Sequence, residues 1–292
     1  MAAEGLDPRA ILAALGVADA GEIAPLTGGW DAALWRVATP AGPRVLRVFR
    51  PEQAATCRRE VAAMRAAGAG GLDVPEVYAV GAWRDRPALL LSWCPGRTLQ
   101  DELARRPWRA WPLGRDFGRM QARLHAIAAP DGLGREPDGW IAWAGPDEAA
   151  LQAHLRALPP RRGALLHFDY HPLNVMTDGR RVTAVLDWAN AAAGDPRADL
   201  ARTVSILRLA PLLPGARRGA ALVCRLLEQG WRAGYRALTG TVRGMAPFYA
   251  WAGAMTVRDL APKVARPDSW LADKDLDAMR RWSAEWKRRA GI

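Results

Sequence analysis

Residues 165–200 read LLHFDYHPLNVMTDGRRVTAVLDWANAAAGDPRADL and carry the strongest structural signal of the chain. The dipeptide Asp178-Gly179 stands between two apolar runs, NVMT and VTAVL, and this pattern predicts a β-hairpin. With a two-residue turn, Val175 would face Val182 on the opposite strand. The stretch therefore predicts two short antiparallel strands joined at residues 178–179.

The same count along the ladder predicts a cluster of polar groups. Tyr170 would face Asp187, which brings Asp187 back to the neighbourhood of Asp169 and Asn174. A three-residue loop would shift the pairing by one residue without separating these groups. Carboxylate and amide oxygens beside a potential base suit a hard cation such as Mg²⁺.

Length and composition exclude several classes of protein. The chain has 292 residues, half of them apolar, which is enough for one large domain or for two lobes around a cleft. No apolar run approaches the ~20 residues of a membrane span, and the N-terminus does not resemble a signal peptide. Cys57, Cys94 and Cys224 are odd in number and lack metal-ligand spacing, so we expect reduced thiols in a cytoplasmic protein.

The net charge of +11 is concentrated in the last third of the chain. Residues 200–292 hold 17 Lys and Arg against 7 Asp and Glu. This excess is explained either by a solvated, arginine-rich helical surface or by attraction for anions. Because no nucleic-acid-binding motif is present, we favour the first explanation and expect neither a nucleic-acid nor a membrane partner.

The first ninety residues predict a small sheet with one main helix. Residues 23–51, IAPLTGGWDAALWRVATPAGPRVLRVFRP, contain three strand-like runs separated by Gly and Pro turns, and VPEVYAVGAW and RPALLLSW add two more. A helix is predicted over residues 52–67. The turn at residues 27–29 could let backbone N–H groups approach a phosphate, although an ordinary hairpin turn has the same composition.

Beyond Pro95-Gly96 the pattern becomes helical. Helices are predicted around residues 98–106 and 114–127, over 204–213, 220–238 and 246–260, and at the C-terminus, whereas residues 130–160 show little structure. An apolar stripe on the last helix should dock against the other helices; it comprises Leu276, Met279, Trp282 and Trp286. We expect two lobes, residues 1–93 and 94–292.

Three motifs together carry a family resemblance. HFDYHPLN at residues 167–174 resembles the H-x-D-x-H-P-x-N loop of the aminoglycoside phosphotransferase and choline kinase-like small-molecule kinases. DW at residues 187–188 is similar to the metal-binding motif after that family's hairpin, and GDP at 194–196 with DLA at 199–201 resembles the end of its core. The resemblance implies a two-lobed, protein-kinase-like α+β fold with a mainly helical C-terminal lobe.

The resemblance also assigns roles around the hairpin. Asp169 would orient the acceptor hydroxyl and take its proton, while Asn174 and Asp187 would hold Mg²⁺ against the phosphates. His167 would be a structural hydrogen-bonding residue, and Asp199 would tie down the backbone of the loop. His171 would either contact the acceptor or fill space.

On the other side of the cleft the resemblance implies a nucleotide site. Its residues would be Thr27, Gly28 and Gly29 at the phosphates, Arg47 with Glu60, and Ser92 and Cys94 at the purine. Arg47 is a departure, because most kinases carry lysine there. Arginine keeps the positive charge, but its planar guanidinium binds carboxylates and phosphates in a bidentate geometry. A simple surface ion pair is the alternative for Arg47 and Glu60.

The implied activity is transfer of the γ-phosphoryl group of ATP or GTP, with Mg²⁺, to a hydroxyl of a small molecule, by a monomer or homodimer. Only seven residues separate Asp187 from Asp195, which leaves no room for a peptide-docking segment and argues against a protein kinase. A silent nucleotide-binding pseudokinase is the other alternative; the intact Asp169, Asn174 and Asp187 argue against it.

The charge of the C-terminal segment limits the kinds of acceptor molecule that we expect. In this family the helical segment after the core builds much of the acceptor site, and here that segment is strongly basic. Like charges disfavour a polycation, so we expect a neutral or anionic acceptor. An aminoglycoside stays an alternative if six of the seven acidic residues of this segment cluster in the cleft, namely Glu228, Asp259, Asp268, Asp273, Asp275 and Asp277.

Overall fold

The computed structural model describes residues 5–26, 32–133, 139–159, 163–209, 219–264 and 273–292. The strands are β1 Ile23–Pro25, β2 Ala33–Val37, β3 Arg44–Val48, β4 Val77–Trp83, β5 Arg86–Ser92, β6 Arg97–Thr98, β7 Ala164–Leu166, β8 Val175–Thr177, β9 Val182–Val185 and β10 Ala192–Gly194. The helices are α1 Pro8–Ala14, α2 Ala54–Ala69, α3 Leu99–Arg105, α4 Ala110–Ala126, α5 Ala149–Ala157, α6 Pro196–Leu209, α7 Ala220–Thr239, α8 Ala246–Val264 and α9 Asp273–Ala290.

The N-terminal part is an antiparallel sheet with a helix on each side. Its strand order is β1-β2-β3-β5-β4. Side chains alternate across a strand, and β3 uses both faces: Leu46 and Val48 join the core that contains Ile11 and Leu12 of α1, while Arg47 between them reaches Glu60 of α2. The predicted five-stranded sheet with one main helix is confirmed.

The C-terminal part is mainly helical, with two small sheets, β6-β8-β9 and β10-β7, at its edge. These short strands hold both ends of the 167–174 loop. Among the described residues, no helix is long and apolar enough to cross a membrane. The lobe boundary between residues 93 and 94 falls in the connection from β5 to β6 and stays a prediction.

Helices α4 and α7 pack backbone to backbone. Gly114 and Gly118 face Gly230 and Gly234, and a Cβ on any of the four would collide with backbone atoms of the opposite helix. Small residues four apart on both helices permit this approach, as in other close helix pairs. The contact brings the side chains at the C-terminal half of α4 within hydrogen-bonding distance of α7.

The predicted hairpin exists, but the predicted register is wrong. Val175 faces Val185 and Thr177 faces Val182, with an irregularity between, so the loop has four residues instead of two. Two side chains close it. Asp178 Oδ1 accepts hydrogen bonds from the N–H groups of residues 180 and 181, and Thr177 Oγ1 accepts from Gly179 N and donates to the carbonyl of residue 181.

Two other expectations have definite outcomes. The prediction of little structure over residues 130–160 is wrong, because α5 forms there and buries Leu151 and Leu155. The docking face of the last helix is confirmed: Leu276 and Met279 are buried, and Trp282 and Trp286 pack against Tyr249 of α8. Residues 210–213 of the predicted 204–213 helix lie outside the described residues.

Candidate active site

A single buried carboxylate holds the loop that follows β7. Asp199 Oδ1 accepts from Phe168 N at 2.7 Å, and Oδ2 accepts from His167 N at 3.2 Å. On the opposite side, Oδ2 lies 2.8 Å from His125 Nε2 and accepts from Gln121 Nε2 at 3.2 Å. Burial alone would raise the pKa of Asp199, but these hydrogen bonds and the His125 charge lower it. The loop is thus anchored to α4 through α6.

Phe168 gives the loop its sharp bend. Its φ of +60° lies in the left-handed region that non-glycine residues rarely adopt. Its buried ring packs against Trp143, with centroids 5.0 Å apart, and against Trp251 at 5.4 Å. Aromatic contacts on the side chain and the hydrogen bond on the backbone hold this strained conformation, which turns Asp169 away from the core.

Asp169, His171 and Asn174 form the centre of the site. Asn174 Nδ2 donates to Asp169 Oδ2 at 2.9 Å and to its carbonyl at 3.0 Å, and His171 Nε2 lies 3.4 Å from Asp169 Oδ1. Burial would raise the pKa of Asp169, but the hydrogen bond and charge of His171, with the charge of Arg202, lower it to about 2. Asp169 is therefore an oriented, fully ionised carboxylate.

His167 and Trp188 support the centre of the site from the buried side. His167 Nε2 lies 3.0 Å from the carbonyl of Leu186, while its Nδ1 accepts from Asp169 N at 3.2 Å. This pattern is that of a neutral ring, and burial lowers the pKa of His167 accordingly. Trp188 packs edge-on to it at 4.8 Å. His167 lies where a loop-shaping residue should lie.

Asp187 enters the site from the end of the hairpin. Leu186 N donates to the Asn174 carbonyl at 2.8 Å, which brings Asp187 beside Asn174 despite the shifted register. Its φ is +58°. The side chain is 44% exposed, but its Oδ1 is buried. That oxygen forms an ion pair with Arg47, whose Nη2 lies 3.5 Å away, and makes no hydrogen bond among the described residues.

Arg47 lies between two carboxylates. Its Nη1 donates to Glu60 Oε1 at 2.7 Å, and its Nη2 approaches Asp187. Burial would lower the pKa of Arg47, but Glu60 and Asp187 together raise it. The pKa of Glu60 is also raised, to about 7, because its burial and the Asp187 charge outweigh Arg47. Arg47 is stabilised by two anions, whereas Arg47 and a backbone hydrogen bond from Trp188 do not offset the burial of Glu60.

The donor atoms fit a hard cation. Asp187 Oδ1 is a buried acceptor that lacks a hydrogen bond and faces only the Arg47 guanidinium at 3.5 Å among the described residues. The Asn174 amide nitrogen is bonded to Asp169, which leaves the amide oxygen as its ligand atom. Mg²⁺ usually takes one or two protein oxygens and completes its shell with water and phosphate. No cluster of three His, Cys, Asp or Glu side chains suited to a metal occurs among the described residues, so a cation here would depend on such a partial set.

The predicted nucleotide residues fall into three groups. Thr27, Gly28 and Gly29 lie outside the described residues. Arg47 and Glu60 are at the Asp187 side of the sheet, as given above. Ser92 pairs with Glu76, whose N–H donates to Ser92 Oγ at 2.9 Å and whose carbonyl accepts from Ser92 N. Burial raises the pKa of the nearby Cys94 thiol to about 11.

Sequence reasoning missed three residues that shape the site. Gln121 and His125 lie four residues apart on the buried face of α4, and buried polar side chains need hydrogen-bond partners. Their position could therefore have been used to predict a buried polar cluster. Besides Asp199, Gln121 accepts from Trp231 Nε1 at 2.7 Å, and His125 Nδ1 is 2.8 Å from Tyr235 OH. Arg202, which acts on Asp169, gave no such signal.

Acidic residues of the C-terminal segment are paired with arginines instead of gathered together. Asp259 binds Arg202 Nη2 at 2.8 Å, Glu228 binds Arg232 at 2.7 Å, and Asp277 binds Arg280 at 2.7 Å. Asp275 is buried, and Asp268 lies outside the described residues. These ion pairs neutralise Asp259, Glu228 and Asp277, whereas Asp273 lies in the first turn of α9.

Comparison with known proteins identifies the class. The model of the phosphotransferase enzyme family (APH) matches residues 22–239, and the chain belongs to this family. It is therefore a phosphotransferase enzyme. Comparison with curated proteins gives no match.

Solved structures share the fold at low identity. A thermostable mutant of aminoglycoside phosphotransferase APH(4)-Ia, in a ternary complex with ADP and hygromycin B, is 19% identical with a TM-score of 0.66, covering 95% of this chain and 96% of that one. A putative fructosamine-3-kinase from Haemophilus somnus 129PT is 14% identical with a TM-score of 0.61, covering 95% of this chain and 95% of that one. Spectinomycin phosphotransferase APH(9)-Ia, in complex with ADP and spectinomycin, is 10% identical with a TM-score of 0.59, covering 94% of this chain and 94% of that one. The expected two-lobed α+β fold is confirmed.

Proposed function

We propose that this phosphotransferase moves the γ-phosphoryl group of ATP or GTP to a hydroxyl of a small molecule, with Mg²⁺ bound between the protein and the phosphates. The observation that carries the proposal is the meeting of Asp169, Asn174 and Asp187 beside Arg47. These groups come from a loop, a hairpin and the N-terminal sheet, and the Arg47–Asp187 ion pair is the only contact of the buried Asp187 Oδ1 among the described residues.

Each side chain has a chemical task under this proposal. Asp169 accepts a hydrogen bond from the acceptor hydroxyl and directs its oxygen at the phosphorus. Its pKa of about 2 makes it a weak base. That suits a loose transition state, in which the hydroxyl becomes acidic only as its bond to phosphorus forms and the proton moves late. His171 and Asn174 hold the carboxylate in place.

The anionic phosphates need positive charge and fixed geometry. Asn174 Oδ1 and the Asp187 carboxylate would hold Mg²⁺, which when bound offsets charge on the phosphates. Arg47, kept by Glu60, points its second guanidinium nitrogen toward Asp187 and so toward the same phosphates. A forked guanidinium can hold two oxygens through a coplanar pair of N–H groups, a geometry that a lysine ammonium lacks.

The acceptor we propose is neutral or anionic. The acidic side chains nearby on α8 and α7 are paired with arginines, Asp259 with Arg202 and Glu228 with Arg232, so they offer little net negative charge to a polycation. The alternative acceptor is an aminoglycoside. It is supported by neighbours of the same fold, whose structures hold hygromycin B or spectinomycin.

The test is a nucleotide-consumption assay over hydroxylated compounds in three charge classes: neutral sugars, sugar acids, and polycationic aminoglycosides. We expect turnover with a neutral or anionic compound, and a loss of about 10²–10⁴-fold in Asp169→Asn. Asp85→Asn, at an exposed turn, is the matched control and should keep full activity. Turnover that survives Asp169→Asn would refute the assigned base, better turnover of aminoglycosides would refute the acceptor class, and nucleotide binding without turnover or Mg²⁺ dependence would favour a pseudokinase.

A further inference from the structure

Two tryptophans stand exposed on one corner of the protein. Trp108, in the short 3-10 turn between α3 and α4, is 71% exposed, and Trp111 at the start of α4 is 43% exposed. Prolines adjoin both residues and stiffen the backbone that presents them. An indole is the largest apolar side chain, and this degree of exposure is unusual for a residue without a partner surface.

Arginines flank the two tryptophans along the chain, and the Arg115 guanidinium lies 5.1 Å from the centre of the Trp111 ring. The tip of the β8–β9 hairpin joins this corner, because a Cβ on Gly179 would lie 3.3 Å from Arg106 Nη1 and Asp116 of α4 accepts from Val182 N at 2.6 Å. We call the combined area the tryptophan–arginine surface. It comprises Trp108, Trp111, Arg105, Arg106, Arg109, Arg115, Arg180 and Arg181.

The acidic side chains nearby are already engaged within the fold. Glu102 is fully buried between Arg97 and Arg106, Asp178 caps the hairpin loop, and Asp116 holds β9. The fourth acidic residue, Asp101, is exposed and accepts a hydrogen bond from Thr98 Oγ1 at 2.7 Å. Residues 97–116 and 178–181 contain seven arginines against these four acidic residues, a net excess of three positive charges. Arg181 is 76% exposed, with its guanidinium 3.9 Å from Asp178.

We propose that the tryptophan–arginine surface docks the protein peripherally on a membrane that carries anionic phospholipids. Indole rings favour the boundary between head groups and acyl chains, and arginines on the same face are attracted to anionic head groups. This contact needs no spanning helix, so it revises our expectation of no membrane partner without conflicting with the reason for it.

Other occupants fit the surface less well. A second copy of the chain would bring arginines against arginines if the two patches met across a twofold axis. Single-stranded nucleic acid is bound in a groove with stacking platforms, whereas Trp108 projects from a turn. A flat anionic surface matches both the projection and the charge.

The proposed surface adjoins the catalytic loop without sharing its residues. Gln100 N at the start of α3 donates to the Pro172 carbonyl at 3.0 Å, so α3 joins the two regions. Docking would therefore hold the cleft near the lipid face. Substitutions at Trp108, Arg180 or Arg181 should leave turnover of a freely diffusing acceptor unchanged.

The experiment is co-sedimentation of the full chain with vesicles of phosphatidylcholine alone or with about 30% phosphatidylserine. We expect binding only to the anionic vesicles, weakened by salt, with a blue shift of tryptophan fluorescence. Trp108→Ser should lower the affinity by about tenfold. The double variant Arg180→Ser/Arg181→Ser should lower it by about fivefold for each arginine.

A matched control is the double variant Arg288→Ser/Arg289→Ser on α9, which removes the same charge from another exposed helix and should bind like wild type. Circular dichroism establishes that each variant is folded, and the hairpin-tip pair does not depend on the tryptophan turn. Equal binding to both vesicle types, no binding to either, or equal loss in the α9 control would overturn the proposal. So would dimerisation or oligonucleotide binding that is lost in Trp108→Ser while vesicle binding is absent.

Discussion

Arg47 at the residue scale differs from the expected lysine in what it contacts. A lysine ammonium is a point charge that would bind mainly one carboxylate, whereas the forked guanidinium reaches both Glu60 and Asp187. The consequence falls on Glu60. Glu60 is 1% exposed and shares its arginine with the negatively charged Asp187, so burial and that neighbouring charge raise the pKa of Glu60 to about 7.

This shift predicts a pH dependence of stability. A carboxyl whose pKa is raised in the folded state gives its full stabilisation below the unfolded value near 4.3, and the contribution is lost as pH rises through about 7. The difference in free energy of unfolding between wild type and Glu60→Gln should therefore fall by roughly 3 kcal/mol between pH 4.5 and 7.5. Urea unfolding at several pH values measures it.

The comparison with Glu60→Gln isolates this one group. Asp169 and Asp199, whose lowered pKa values give stability that is lost in acid below about pH 4, are present in both proteins and cancel in the difference. Curves that stay parallel from pH 4.5 to 7.5 would mean that Glu60 is ionised throughout and that Arg47 outweighs its burial.

Single residues show what sequence alone can predict. Motif spacing places Asp169, Asn174 and Asp187 in one site, because the hairpin returns the chain to its start whatever the loop length. Motifs carry no signal for Arg202, whose effect on Asp169 depends on how α6 is rotated. Gln121 and His125 are intermediate: their burial was foreseeable from the α4 pattern, but their partners on α7 were not.

At the scale of elements, the α4–α7 contact is the clearest dependence of the site on packing. Without a Cβ at four glycine positions the two backbones approach closely, and only then do Gln121 and His125 reach Trp231 and Tyr235. Those bonds orient the groups that hold Asp199. The glycines therefore act on the active-site loop through two layers of hydrogen bonds.

We predict that Gly118→Ala destabilises the protein by about 1–3 kcal/mol, as overpacking of a tight contact does, and also reduces turnover. The added methyl would collide with the Trp231 carbonyl and push α7 outward. Gly68→Ala in α2 is the control: its Cβ would meet only Val74 at 3.6 Å, so the better helix former should stabilise by about 0.5–1 kcal/mol. Denaturant unfolding of both variants checks this, and equal changes of the same sign would contradict it.

The elements also show where sequence patterns fail. Turn residues and apolar spacing were enough to predict that the hairpin and most helices exist. Most of the predicted element bounds agree with the structure to within a few residues. The register of β8 against β9 could not be predicted from the sequence, because Asp-Gly suits a two-residue turn equally well. In the structure, the Thr177 and Asp178 side chains make hydrogen bonds in place of backbone ones and so close a longer loop. Helix α5 is short and buries few apolar side chains, so its periodicity was too weak to separate from the surrounding Gly, Pro and Trp.

At the scale of the whole molecule, several polar contacts join the sheet to the helical part. Arg47 of β3 meets Asp187 of the hairpin, and Arg59 of α2 donates to the Ala189 carbonyl at 3.1 Å. A bound nucleotide with Mg²⁺ would touch both parts through Arg47 and Asp187. Ligand binding should therefore stabilise the two parts as a unit, not the sheet alone.

We predict that Mg²⁺ with ADP raises the melting temperature more than ADP with a chelator. At a ligand concentration about 100-fold above Kd the gain is about 2.7 kcal/mol, or roughly 5–10 °C for a chain of this size. Asp187→Asn should abolish the Mg²⁺-dependent part and keep the remainder, which depends on Arg47. Asparagine tolerates the left-handed conformation of position 187, so the backbone should be preserved, and Asp85→Asn should behave like wild type. A full Mg²⁺ increment in Asp187→Asn would remove Asp187 from the metal site, and a shift in only one of two separate transitions would show that the nucleotide does not join the two parts.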